Sequence, residues 1–226
     1  LMKDNASLRQ SFVQILTSTG FAIGATVLSM GVALRICSAV IETRRSIISR
    51  GFWMSLLLPG LLGSLVLSLG LLAMFQTPVL RGLYDTWVPM LLGQTLAVLP
   101  FAVMVVLLLL RVSDPEALHS TRLLAVSGEP RIRRNMATIR WRLTTGRWLL
   151  GGLVIAHRCF WDVTVASILR PVQVEPVITR LYNEMHYGRT EALMSLSLLA
   201  TLTPLLIAAA VMLLSHALTV FTALRR

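Results

Sequence analysis

Charge is scarce in this 226-residue chain: Asp, Glu, Lys and Arg make up 14% of it, against about 25% in an ordinary soluble domain. With 55% hydrophobic residues and a mean hydropathy of +0.75, that scarcity excludes a disordered chain and a water-soluble globule. Cysteine is almost missing. Cys37 and Cys159 lie in apolar surroundings and cannot build a disulfide framework. Acid is scarcer than base, ten residues against 21, which leaves a net charge of +11. A basic excess can mean nucleic acid, but those cations then sit on a polar surface. Here they fall between long apolar runs, so no nucleic-acid partner is expected. The chain has no GxxxxGK[ST] loop and should not bind ATP itself. His119, His157, His186 and His216 have no Cys or carboxylate at metal-ligand spacing. Asp162 has no Ser–His arrangement around it in the sequence. No metal, no cofactor and no catalysis are expected.

What is present is apolar length. Residues 10–34, 51–80, 86–110 and 192–224 carry no Asp, Glu, Lys or Arg. Each supplies the ~20 apolar residues that cross a bilayer as a helix. A fifth stretch, 148–169, is interrupted by Arg158 and Asp162 but is long enough to span. The expectation is an all-α membrane protein with five transmembrane helices at about 12–34, 52–75, 87–110, 148–169 and 193–222. A membrane β-barrel would show alternating runs of about ten residues; Val-Met-Val-Val-Leu-Leu-Leu-Leu at 103–110 is continuous instead. The first span is too long for a signal-peptide core and follows a charged, polar stretch.

Arginine sets the orientation. Arg35, Arg44, Arg45 and Arg50 fall in 35–50, and Arg111, Arg122, Arg131, Arg133, Arg134, Arg140, Arg142 and Arg147 in 111–147. With Arg225 and Arg226 they make 14 of the 21 cations, all on one side of a five-span chain. That side is expected to be cytoplasmic, with 76–86 and 170–191 outside. The N-terminus then faces outward, which predicts a preceding span on a longer polypeptide.

The loop 111–147 is informative. Ser113-Asp114-Pro115-Glu116 has the spacing of a capping box, with proline in the first turn. Ala117, Leu118, Thr121, Leu124 and Ala125 then share one helical face, and Gly128 and Pro130 end it. Two readings stand: a solvated positive-inside loop, or a short helix offered to a cytoplasmic partner. In the outer loop, Pro171 and Pro176 break helical continuity. Leu181, Tyr182, Met185 and Tyr187 could then lie amphipathically at the membrane surface. Gly20 and Gly24 form GxxxG, and Ser64 and Ser68 a second small-residue pair, suited to close helix packing. Arg158 and Asp162, four apart, predict one helical face carrying either a neutralised structural pair or a lining of the translocation path.

The order of these features resembles one family. Leu58-Pro59-Gly60, Leu99-Pro100-Phe101-Ala102, Asp114-Pro115-Glu116, Arg122-Leu123-Leu124, a basic loop, an acid inside a span, then Arg180-Leu181-Tyr182-Asn183 and Tyr187-Gly188 follow one another. It resembles the permease subunits of binding-protein-dependent ABC importers, most nearly the C-terminal half of fused permeases for ferric iron, thiamine and related substrates. The likeness runs from about residue 7 to the end. It implies a type I importer (MetI-like) helical bundle in the bacterial inner membrane. It also implies cytoplasmic ATP-binding subunits, a second permease domain and an outer-side solute-binding protein as partners. A coupling helix docked into the ATPase would involve Asp114, Pro115, Glu116, His119, Arg122, Leu123, Leu124 and Ala125. The family's Glu-Ala-Ala and following Gly are replaced here by His119-Ser120-Thr121 and by Ala125. Relatives carry an acid where Asp162 stands. An ion- or proton-coupled carrier, with Arg158 and Asp162 at a midplane site, is the alternative.

Overall fold

The structure is a computed structural model that describes residues 2–41, 47–112, 130–188 and 190–225. Among these residues it is helical throughout, with no strand. The first helix, α1 (Met2–Ile41), runs 40 residues, about 60 Å, because nothing in it breaks the ladder. It is longer than the ~30 Å hydrocarbon core of a bilayer, and its apolar part is Ser11–Ala39. Two further continuous helices are long and apolar enough to cross: Val88–Val112 and Leu193–Phe221.

The other two expected spans are not continuous. The second divides into α2 (Ile47–Ser55), α3 (Leu58–Leu61) and α4 (Ser64–Phe75), and the chain turns by 107° between Gly51–Leu61 and Ser64–Phe75. Gly63 makes the turn at φ +89°, a conformation that side chains with a Cβ disfavour. After a single 3₁₀ turn (Arg81–Leu83), α5 (Val88–Val112) crosses, and α6 (Pro130–Leu143) begins with proline at a position where its missing N–H costs nothing. The fourth expected span divides into α7 (Thr145–Phe160) and α8 (Val163–Leu169), bent by 57°. The short helix α9 (Val177–His186) and the long α10 (Thr190–Arg225) complete the order. Among the described residues, three unbroken helices are thus long and apolar enough to cross a membrane, or five segments if each bent pair is one span. The chain is a multi-pass helical protein with apolar segments suited to a membrane.

The core is a seam of small residues. Ala22, Ala25, Ser29 and Ala33 recur every three or four positions on α1 and are buried. Backbones can approach along such a seam where lipid supplies no hydrophobic drive. α1 packs mainly on α5 through this face, with Ile36, Leu99, Ala102, Val106 and Ile155 in one cluster. The GxxxG pair does not form the seam. A Cβ at Gly20 would meet nothing within 4 Å, whereas one at Gly24 would lie 3.2 Å from Leu91 Cδ1. A second cluster, of Leu67, Leu71, Phe75, Met90, Val165 and Leu169, joins α4, α5 and α8. Gly93 lets α5 and α8 meet: a Cβ there would lie 2.6 Å from Leu169 Cδ1.

Polar contacts tie the loops down. Val172 N donates to Asp85 Oδ1 at 2.8 Å, which joins segments 76–86 and 170–191 at one end of the bundle. Val177 N donates to Ser18 Oγ (2.9 Å), Gln14 Nε2 to Glu175 Oε2 (2.9 Å) and Arg180 Nη1 to Gln14 Oε1 (2.9 Å). α9 is therefore bolted to α1. Its Val177, Ile178 and Thr179 are buried and Leu181 packs on the core, while Tyr182, Met185 and Tyr187 stay exposed. At the other end Arg147 Nη1 donates to Val112 O at 2.9 Å, and the Trp141 ring meets His216 edge-on at 5.0 Å, holding α6 against α10.

Candidate functional site

The interruptions converge. Pro100 lies inside α5 and has no N–H, so the carbonyl of Leu96 loses its usual donor one turn on. Gly60 of α3 sits against that carbonyl; a Cβ there would overlap Leu96 O and lie 2.6 Å from Pro100 Cδ. Only a residue without a side chain allows α3 this close. Beside the contact is a cavity of about 380 Å³. Gly60, Gly63 and Ser64 border it from the first break, Gln94, Pro100 and Phe101 from α5, and Arg158, Cys159 and Asp162 from the second break.

Each polar group there has a distinct local state. Asp162 leaves the helix (φ −80°, ψ 91°) and caps α8: its Oδ1 accepts from Thr164 N at 3.1 Å and Val165 N at 3.2 Å. Such caps satisfy amides that a helix start leaves open, and negative charge suits that end of the helix dipole. Asp162 is 9% exposed. Among the described residues, Oδ2 has no hydrogen-bond partner and no ion pair joins Asp162 to Arg158. The expected single helical face is absent because the helix ends at Phe160, between the two residues. Arg158 is exposed toward the cavity, whereas Asp162 is used by the backbone. α4 starts at Gly63 with no side-chain cap, so its first amides remain open. Gln94 is 4% exposed, and its Oε1 has no partner.

Sequence reasoning found Arg158 and Asp162 but not their surroundings. Gln94, Gly60, Gly63 and Pro100 were missed as site residues. The signals were a buried amide in a charge-free run, an interior proline, and a Gly-Pro cluster at 59–63. The coupling residues Asp114, Pro115, Glu116, His119, Arg122, Leu123, Leu124 and Ala125 lie outside the described residues. The described chain leaves α5 at Val112 and resumes at Pro130, so both flanks of that loop are at the arginine-rich end. A second cavity, of about 370 Å³, opens between α1, α7 and α10 and is lined mostly by apolar groups such as Ile23, Leu153, Val154, Leu205 and Met212, with Thr19 and His157 as its polar side chains. Among the described residues no group of three His, Cys, Asp or Glu side chains could hold a metal ion. No protein-family model matches the chain, and no curated protein matches it.

Proposed function

We propose that the chain is the permease domain of an ATP-driven, binding-protein-dependent importer of the inner membrane, and that the polar cavity between its helix breaks lies on the translocation path. The observation that carries the reading is the convergence of two broken helices and an interior proline on one polar cavity. Irregular backbone is tolerated at membrane depth where it is buried in protein or lines a water-filled space. Transport proteins use broken helices in this way, because exposed helix ends supply binding groups without spending side chains. The ATP-driven part rests on the order of motifs along the chain, which resembles the importer family although the loop 111–147 has His119-Ser120-Thr121 and Ala125 in place of its signature. In this account the chain performs no chemistry. ATPase subunits and a solute-binding protein favour different states of the permease, and that difference drives alternating access.

The broken helices equally suit an ion- or proton-coupled carrier, so the test must separate the two energy sources. A tagged chain purified from its native membrane should bring with it a P-loop ATPase in stoichiometric amount. Replacing Leu123 and Leu124 together by Asp should abolish that association, because apolar groups at a docking face become charges. Membrane insertion should be unchanged. Transport driven by an ion gradient with no ATPase present, or full ATPase association in the double variant, would overturn the docking role.

A further inference from the structure

We propose that the polar cavity binds a small zwitterion of the α-amino-acid class. Its carboxylate would lie at Arg158 and the uncapped first turn of α4, its ammonium at Asp162 Oδ2 and Gln94 Oε1. The inference rests on the translocation-path reading and names the substrate class of that same site.

The lining holds opposite charges that do not meet. Arg158 has neither ion pair nor hydrogen bond among the described residues. The N-terminus of the 12-residue α4 adds open amides and the positive end of a dipole. These are donors, and they call for an anion. Asp162 and Gln94 belong to the same lining, and each keeps an acceptor without a partner among the described residues, Oδ2 on Asp162 and the buried Oε1 on Gln94; they repel a bare anion and call for a donor. Gln94 is the strongest indicator. Its side chain is nearly fully buried, borders the cavity, and leaves its carbonyl oxygen with no partner, whereas buried polar groups are normally satisfied. A simple cation or a simple anion answers half of the lining. A zwitterion answers both halves, and the volume of about 380 Å³ falls in the range of small-ligand sites, roughly 300–1,000 Å³.

The test is thermal unfolding of the full chain, purified in detergent, with L-alanine, L-glutamine and L-leucine as probes. Acetate and methylammonium supply each half alone. At least one amino acid should raise the midpoint by several degrees at a concentration where neither half-ligand moves it. Arg158→Gln and Gln94→Leu should each weaken the response about tenfold, and Arg158→Lys should retain part of it. No shift with any amino acid, or an undiminished shift in Arg158→Gln, overturns the assignment. Labelling of Ser64→Cys by a water-soluble thiol reagent separates the two failures. A silent panel with Ser64→Cys labelled refutes the ligand class and leaves the path standing; a silent panel with Ser64→Cys protected refutes both.

Discussion

Replacing Gly60 by valine is expected to abolish the folded protein. The Cβ position at Gly60 overlaps the Leu96 carbonyl oxygen and lies 2.6 Å from the Pro100 ring. Neither neighbour can swing aside: one is backbone, and the other is a ring that fixes its own dihedral. Overpacking typically costs about 1–3 kcal/mol, and here the obstacle is rigid and the added group β-branched. A domain with ~5–15 kcal/mol of total stability has little to spare. Gly60→Ala should lower the midpoint of thermal unfolding by several degrees, and Gly60→Val should give no monodisperse peak on size exclusion in detergent. The control is Gly20→Val, where nothing lies within 4 Å of the added carbon; it should behave like the parent. A well-folded Gly60→Val protein would mean that α3 does not approach α5 as described.

The second large effect separates Asp162 from Arg158. Asp162→Ala removes the acceptor of the two amides, Thr164 N and Val165 N, at the start of α8. An N-cap is worth about 0.5–2 kcal/mol, and hydrogen bonds to a charged group about 1.5–3 kcal/mol. The loss should therefore be about 2 kcal/mol or more. Asp162→Ser, which keeps one capping oxygen, should recover part of it. Arg158→Leu should cost little, since no partner is lost. Arg158→Leu combined with Asp162→Ala should be no better than Asp162→Ala alone, with a coupling within about 0.5 kcal/mol. A buried pair would behave in the opposite way: either single removal costs about 3–5 kcal/mol, and the double is milder. Rescue of Asp162→Ala by Arg158→Leu would restore the ion-pair reading and contradict the cap.

The apolar content of the fold was legible in the sequence, and its breaks were not. Charge-free runs located four of the five apolar segments, and apolar length around Arg158 and Asp162 the fifth, because crossing a bilayer demands length and little else. They could not show that 52–75 and 148–169 bend, since hydropathy is blind to backbone direction. Gly63 and Pro59 were visible, but glycine and proline are also common in straight membrane helices. Asp162 looked like half of an i,i+4 pair because that spacing presumes an unbroken helix. An Asp placed just before a run of β-branched residues (Val163, Thr164, Val165) is equally the signature of a cap. The GxxxG motif was half informative: Gly24 approaches Leu91 of α5 closely, Gly20 does not, and alanines and a serine nearby form most of the seam. Gln94 passed unnoticed because a single amide does not interrupt an apolar run, although its burial is what makes it costly.

The cavity's place on a path between the two sides is the central claim, and accessibility measures it most directly. Ala97 borders the cavity from α5 and can carry a cysteine in a chain where Cys37 and Cys159 are replaced by alanine. In sealed vesicles holding the chain with the proposed ATPase partner, a membrane-impermeant thiol reagent is applied from each side in turn, with and without a trapped ATP analogue. Labelling of Ala97→Cys from one side at a time, with the side exchanged by the nucleotide, is the predicted result. Protection from both sides in every state, or labelling from both at once, would contradict it.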